Sequence, residues 1–259
     1  MKNNAKIVVG IPARMASTRF PGKALCDILG RPMVEHVYRR CALSGRVTDL
    51  FVAACDEPIK EAVTAFGGKV VMTDPEIQRP GLRVAAAATT FGLDAEDIVV
   101  VVQGDEPLVH PDMIDLAIRP LLDEGDVYVS NLCRELMPNE WADPGEIKVV
   151  CDLRMNAMYM SRSPIPSTDH EERRAKCWKQ VCIMPFRWHF MKTFNYDLAP
   201  TPLELQESVE MVRALQHGYK VRMVPSPFVS KSVDTDEDRR RVEALMKDDP
   251  VYPMYRGRG

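Results

Sequence analysis

Three short segments of this 259-residue chain bring together residue types suited to phosphate and metal chemistry. The first is IPARMASTRFPGK, Ile11 to Lys23, which carries Arg14, Arg19 and Lys23 with Ser17 and Thr18 between them and turns at Pro21-Gly22. Such a loop aims backbone N–H groups and three cations at a polyphosphate. Arg suits bidentate phosphate contacts and Lys a point of charge. The G-x-x-x-x-G-K-[ST] spacing of a P-loop is missing. The second segment is VVQGDEP, Val101 to Pro107, in which a valine run ends in Gln103-Gly104-Asp105-Glu106. Mg2+ takes one or two carboxylates together with phosphate oxygens, and Asp105 is the first ligand candidate. The third is SVDTDED, Ser232 to Asp238, where Asp236 to Asp238 suit the first turn of a helix and Asp234, just before them, is a candidate second ligand. Taken singly, each has a plain alternative: a solvated basic loop, an acidic turn, a set of helix caps.

Hydrophobic periodicity shows what must position these segments. Lys6 to Ala13, Leu50 to Ala54, Lys69 to Met72 and Ile98 to Val102 read as strands. Helical patterns lie between them over Pro32 to Leu43, Ile59 to Ala65 and Val84 to Phe91. Near-continuous apolar runs such as IVVVV are strands covered on both faces, and their alternation with helices predicts a parallel, doubly wound sheet. Right-handed crossovers then put the loop after Ala13 and the QGDEP turn on one sheet edge. In the second half, Val127 to Arg134, Ile147 to Asp152, Val181 to Phe186 and Val221 to Val224 read as strands. A long amphipathic helix is predicted over Leu203 to His217 and a last one from Asp236 to about Lys247. The prolines of SRSPIP exclude regular structure there, and the polar stretch from Thr168 to Lys179 reads as an exposed loop. The expectation is one domain, residues 1–259, in which about 130–225 form a smaller lobe over the sheet edge.

Composition narrows the class. Hydrophobic residues make up 46% and charged residues 27%, with a formal net charge of −3. No global basic field draws the chain to nucleic acid or anionic lipid, so phosphate binding must be local. No stretch approaches the roughly 18 apolar residues of a membrane span, and the N-terminal apolar run is too short for a signal peptide. Seven scattered cysteines without a C-x-x-C pair read as free thiols of a cytoplasmic protein.

Together the segments resemble one family. Strand–IPAR-x-x-S-x-R-x-PGK, then QGDEP, then VDT before a closing helix is similar to the CMP-KDO synthetases, the 3-deoxy-manno-octulosonate cytidylyltransferases. The flanking text agrees from about residue 6 to 248, in GRPMVEHVYRRC, CDEPIKEAV, FGGKVVMT, SRSPIP and TPLELQESVEMVRAL. The resemblance implies a Rossmann-like nucleotidyltransferase fold and transfer of CMP from CTP to a small acidic acceptor with release of pyrophosphate. It implies that Ala13, Arg14, Ser17, Arg19 and Lys23 hold CTP, with Arg83 and Gln103 beside the nucleotide, and that Arg14, Lys23 and Asp105 carry catalysis. Asp105 and Asp234 would hold Mg2+. Arg162, Gln180, Met184, Glu207 and Glu210 would form the acceptor pocket, and the usual assembly is a homodimer, for which the SRSPIP segment is a plausible seam.

The chain also departs from the family pattern. IQRPGLR, Ile77 to Arg83, stands where the family reads H-x-SGT-[DE]-R; Gln180 and Met184 stand for His and Tyr, and Met211 for Gln. These are sugar-facing positions in the family, so the acceptor half looks rebuilt while the nucleotide half looks intact. KDO, an amino- or deoxy-octulosonate, another acid such as a phosphonate or smaller keto-acid, and nucleotide binding without transfer all remain as readings. Retention of Arg14, Lys23, Asp105 and Asp234 argues against the last. Plain KDO is therefore expected to be a poor acceptor compared with the true substrate.

Overall fold

The computed structural model describes residues 5–17, 19–167 and 176–257 of the chain. Thr18 and residues 168–175 of the expected polar loop lie outside them. The chain opens with β1 (Ile7–Pro12), passes the basic loop, and forms a short hairpin of β2 (Asp27–Ile28) and β3 (Arg31–Pro32) that leads into α1 (Met33–Cys41). Next come β4 (Asp49–Ala54), α2 (Glu57–Ala65), β5 (Val70–Met72), α3 (Pro80–Ala88), β6 (Ile98–Val102) and α4 (Pro111–Asp123). The second half runs through β7 (Ser130–Glu135), β8 (Lys148–Cys151), β9 (Ala157–Ser161), β10 (Trp178–Val181) and β11 (Ile183–Arg187). It closes with α5 (Trp188–Lys192), α6 (Pro202–Glu207), α7 (Met211–Gln216), β12 (Arg222–Pro225) and α8 (Asp236–Lys247).

The first sheet has the order β11-β6-β1-β4-β5, with β6, β1, β4 and β5 parallel and β11 antiparallel at the edge. β1, β4, β6 and β11 are buried on both faces, as the valine runs require, while the edge strand β5 is half-exposed. Val9, Ile11 and Val100 pack with Val34, Val37, Ile114 and Ala117 of α1 and α4 on one side. Val8, Phe51, Val99 and Val101 pack with Val84, Ala85 and Ala88 of α3 on the other. Gly10 permits that second contact, because a Cβ there would clash with the Val84 side chain. The winding turns from the β4 side to the β6 side of β1, and such a switch point opens a crevice beyond the strand C-termini. The basic loop follows β1 and QGDEP follows β6, so both meet at that crevice.

The second sheet, β12-β7-β10-β8-β9, is mixed, with β12 parallel to β7 and the other pairs antiparallel. Here the structure corrects three expectations. Trp178 and Lys179 belong to strand β10, not to a loop. The single strand expected over Val181 to Phe186 is two, because the chain leaves one sheet for the other at Cys182. The single helix expected over Leu203 to His217 is broken, with Ser208 in the left-handed region at φ 53°. Glu207 explains the break: it accepts from the Tyr159 hydroxyl at 3.0 Å, the Ser161 hydroxyl at 2.8 Å and the Arg162 amide at 2.9 Å. These long-range bonds hold the end of α6 against β9 and outweigh local helical propensity.

α8 begins where the sequence places it, with Thr235 and Asp238 closing a reciprocal capping box. Its buried Val242 and Met246 join Ile28, Met33 and Val233 in a separate apolar cluster. Beside this cluster His36 is fully buried, 2.8 Å from the Ile28 carbonyl through Nε2 and 2.8 Å from the Tyr255 hydroxyl through Nδ1. A carbonyl only accepts, so Nε2 carries the proton and the Tyr255 hydroxyl donates to Nδ1. Burial, with the Arg40 charge adding to it, pushes His36 down to about 4 from an ordinary 6.5. The unfolded chain therefore binds the extra proton between pH 6.5 and 4, and the stabilisation from neutral His36 is lost as pH falls through that window. Urea unfolding of wild type and His36→Gln across this range is expected to give a flatter pH slope in the variant, by up to one proton.

Candidate active site

The crevice is a cleft of about 630 Å³. From the β1 loop, Ala13, Arg14, Ser17, Arg19 and Lys23 line it; from the β6 turn, Gln103, Gly104 and Asp105; from the approach to α3, Gln78, Pro80 and Arg83. Every nucleotide-side residue expected from sequence is thus on one concave surface, apart from Asp234, which reaches it through Lys23 and Arg19.

Local backbone geometry explains the loop. The Ala13 amide continues the β1 ladder to the Ala53 carbonyl at 3.0 Å, and the Asp56 carboxylate anchors the Met15 amide at 2.8 Å. Gly22 has φ 72°, a left-handed conformation that a glycine adopts without strain, and from there a single turn begins at Lys23. This turn aims the Lys23 side chain back at the strand ends.

Lys23 is the centre of the charge arrangement. Its Nζ donates to Asp105 Oδ2 at 2.7 Å, to Asp234 Oδ1 at 2.9 Å and to the Val233 carbonyl at 3.2 Å. Arg19 Nη2 approaches the same Asp234 oxygen at 2.9 Å. Burial opposes charge on Lys23, but the two carboxylates outweigh it and hold the pKa above the ordinary value, so the ammonium stays protonated. Two acidic side chains 129 positions apart in sequence therefore converge on one point cation. A pair of carboxylates with open positions is the donor set that a divalent ion shares with phosphate oxygens. Among the described residues no group of three or more His, Cys, Asp or Glu forms a closed metal cage.

Gly104 lets the two strand ends meet. A Cβ at that position would lie 2.7 Å from the Pro12 carbonyl oxygen, which belongs to backbone and cannot swing aside. Gly104→Ala is expected to push the QGDEP turn away from β1 and to weaken binding of a polyphosphate ligand in the cleft by about tenfold, or about 1.4 kcal/mol. Titration calorimetry beside a melting curve will separate that loss from simple unfolding.

Arg14 spans the cleft to Gln78, with Nη1 to Oε1 at 2.6 Å. Gln78 was not singled out from sequence, and nothing in its local pattern marks it. Arg83 lines the cleft, yet its guanidinium donates to the Thr73 hydroxyl at 2.5 Å and to the carbonyls of Asp74 and Ile77. In this arrangement Arg83 braces the wall between β5 and α3.

None of the residues expected at the acceptor lines the cleft just described. The Gln103 amide donates to the Cys182 carbonyl at 3.3 Å, which seats the β10–β11 crossover against the cleft. Gln180 is only 7% exposed and donates to Asn131 Oδ1. Met184 and Met211 are 5% and 1% exposed and lie among Val129, Phe186, Phe194 and Val212. The apolar chains of Met184 and Met211 pack in the cluster that α3, β11 and α7 share. Arg162 donates to the carbonyls of Glu207 at 2.9 Å, Pro144 at 3.0 Å and Gly145 at 3.4 Å, so its guanidinium ties α6 to the 144–145 turn. Burial opposes charge on Glu207, but the bonds from Arg162, Ser161 and Tyr159 prevail and keep its pKa below the ordinary value. Glu210 sits beneath α3, where burial raises its pKa.

Sequence also left Glu106 and Ser230 unassigned. Glu106 is 8% exposed, and its carboxylate accepts from the Ser230 hydroxyl across the fold. Burial and then the Asp105 charge push its pKa up to about 7 against the Ser230 bond.

Comparison with known proteins bears on this geometry. The sequence profile of the Cytidylyltransferase family matches residues 8–223. A 3-deoxy-manno-octulosonate cytidylyltransferase of Geobacter metallireducens is 43% identical over 248 residues, covering 92% of this chain and 96% of its own. An 8-amino-3,8-dideoxy-manno-octulosonate cytidylyltransferase of Shewanella woodyi is 41% identical over 239 residues, covering 91% and 96%. Among solved structures, a CMP:2-keto-3-deoxy-manno-octonic acid synthetase complexed with CTP superposes with a TM-score of 0.88 at 34% identity, covering 94% of this chain and 99% of that one.

Proposed function

Because the chain belongs to the cytidylyltransferase family, we propose that it transfers CMP from CTP to a 3-deoxy-octulosonate, KDO or its 8-amino counterpart, and releases pyrophosphate. One observation carries the reading: Asp105 and Asp234 converge on a single cationic point beside a loop bearing Arg14, Arg19 and Lys23, at the switch point of a parallel sheet. The acceptor class is supported by the names of two relatives at 43% and 41% identity.

In the reaction the acceptor hydroxyl oxygen bonds to the α-phosphorus of CTP while the bond from that phosphorus to the bridging α,β oxygen breaks. The hydroxyl proton leaves to solvent, and pyrophosphate takes the electron pair. Transfers of this kind depend on positioning and charge neutralisation more than on covalent participation by the protein. Arg14 and Lys23 face the cleft and would neutralise charge that grows on the β,γ-pyrophosphate. Lys23 must then exchange its carboxylate partners for phosphate oxygens, a small movement for a flexible side chain with a compact charge. Asp105 and Asp234 would hold Mg2+, which supplies Lewis-acid polarisation of the phosphate and acceptor oxygens. Gln103, just after β6 and bonded to the β10–β11 crossover, would lie beside the nucleotide.

The reading extends to a homodimer in the cytoplasm. It is supported by Met158, 65% exposed on the edge strand β9, and by the free thiols of Cys26, Cys41, Cys55, Cys133, Cys151 and Cys182. Among the described residues, no helix is long and apolar enough to cross a membrane.

The test is pyrophosphate release with CTP and Mg2+ against KDO, 8-amino-KDO, sialic acid and small phosphonates, with the CMP product identified by mass. Efficient turnover of one or both octulosonates is the expected result. Turnover confined to a different acid, or none with any, overturns the acceptor assignment.

A further inference from the structure

Asp234 lies in the irregular segment 226–235 between β12 and α8, and a loop residue can serve as a ligand only if that segment is held in register with the β6 turn. Besides the Lys23 and Arg19 contacts on Val233 and Asp234, four contacts hold it. The Ser226 amide donates to the Cys133 carbonyl at 2.7 Å. The ring of Phe228 stacks on His110, with centroids 4.0 Å apart and planes 7° from parallel. The Val233 amide donates to the Asp105 carbonyl at 2.9 Å. Between these, the Ser230 hydroxyl donates to Glu106 Oε2, with both residues 8% exposed.

The last contact differs from the others in linking the neighbour of one proposed ligand to the other ligand's segment through side chains. Glu106 is fixed within its own turn, since its amide donates to Gln103 at 3.3 Å and its carbonyl accepts from Val109 at 3.0 Å. Its carboxylate is therefore a rigid post on the β6 side. Ser230 is tied to that post four residues before Asp234, and the Val233 bond closes the register one residue before it. A buried hydrogen bond to a carboxylate is strong and directional, as a ruler between two loops needs to be.

We infer that Glu106 and Ser230 are positioning residues that set Asp234 opposite Asp105. This inference rests on the reading of Asp105 and Asp234 as cation ligands. Neither residue touches the cleft, so their contribution should be found in affinity for the cation and not in recognition of nucleotide. Partners one step removed from the ligands typically change metal affinity by about 10- to 100-fold when lost.

Mn2+ provides the probe, observed by electron paramagnetic resonance on the full chain with CTP and no acceptor, so turnover is not involved. CTP affinity without metal and the melting temperature are measured beside it. Ser230→Ala is expected to weaken Mn2+ binding by about tenfold or more while metal-free CTP affinity stays within about twofold of wild type. Glu106→Gln retains an oxygen for the Ser230 hydroxyl and is expected to stay close to wild type, as is Ser230→Thr, which retains the hydroxyl. Wild-type Mn2+ affinity in Ser230→Ala, with Asp234→Asn weakened, overturns the positioning role and leaves the ligand assignment standing. Unchanged affinity in Asp234→Asn overturns both. If Ser230→Ala does not fold, weakened Mn2+ binding in folded Ser230→Thr and Glu106→Gln alike would overturn the inference, and preserved binding in both supports it.

Discussion

Asp105→Asn and Asp234→Asn are each expected to lower kcat with CTP by about two to three orders of magnitude, the scale seen when a group stabilising transition-state charge is removed. Asn keeps an oxygen in place but lacks the charge a hard divalent ion prefers. Excess Mg2+ should therefore recover only part of the activity. Folding should survive, because both carboxylates sit at loop positions with side chains 26% and 32% exposed, outside the apolar clusters. Each variant also leaves the Lys23 ammonium one carboxylate, so it remains compensated. Rapid-quench measurement of CMP transfer over a Mg2+ series decides the matter. If Asp234→Asn retains most of its activity, Asp234 is only a helix-entry residue preceding the Thr235 cap.

Lys23→Ala and Arg14→Ala should each reduce kcat/KM for CTP by tenfold to more than a hundredfold, as follows from losing a charge-assisted contact of about 1.5–3 kcal/mol. The two variants should differ in their free state. Among the described residues Arg14 bonds through its side chain to Gln78 across the cleft, so its removal disturbs little else. Removal of Lys23 leaves Asp105 and Asp234 facing each other with Arg19 as the remaining cation on Asp234. The melting temperature of Lys23→Ala should accordingly rise more on addition of Mg2+ without nucleotide than that of wild type, since the added ion replaces the missing ammonium. Calorimetry with and without Mg2+ measures both effects. Wild-type kinetics for CTP in either variant would take the loop out of the site.

The sequence by itself determined the four parallel strands of the first sheet and the meeting of two loops at the cleft. IVVVV and the matching runs in β1 and β4 are buried on both faces, and that pattern is local and needs no partner to be read. Parallel strands with helical crossovers then place the loop after β1 and the turn after β6 on one edge, whatever the details of packing. Thus Arg14, Lys23, Gln103 and Asp105 could be brought together from sequence alone. α8 was equally legible, because a capping box is written within four consecutive residues.

Only the tertiary structure decided the rest, for reasons that are long-range. Ser208 breaks a helix that periodicity continues, because Glu207 is claimed by Tyr159, Ser161 and Arg162 from a strand some 45 residues earlier. Cys182 passes the chain between two sheets, although Val181 and Ile183 look like one continuous strand. α4 was not singled out, since its interior Pro120 weakens the local signal while burial of Met113, Ile114 and Ala117 against the sheet supplies the stability. The burial of Gln180, Met184 and Met211 is likewise not written in the sequence, because residue type does not tell which face of a strand or helix meets the core. The Glu106–Ser230 bond spans 124 positions, and no pattern along the chain could announce it. A ligand pair can be guessed from its carboxylates, but the contacts that hold the pair at a working distance exist only once the loops have packed.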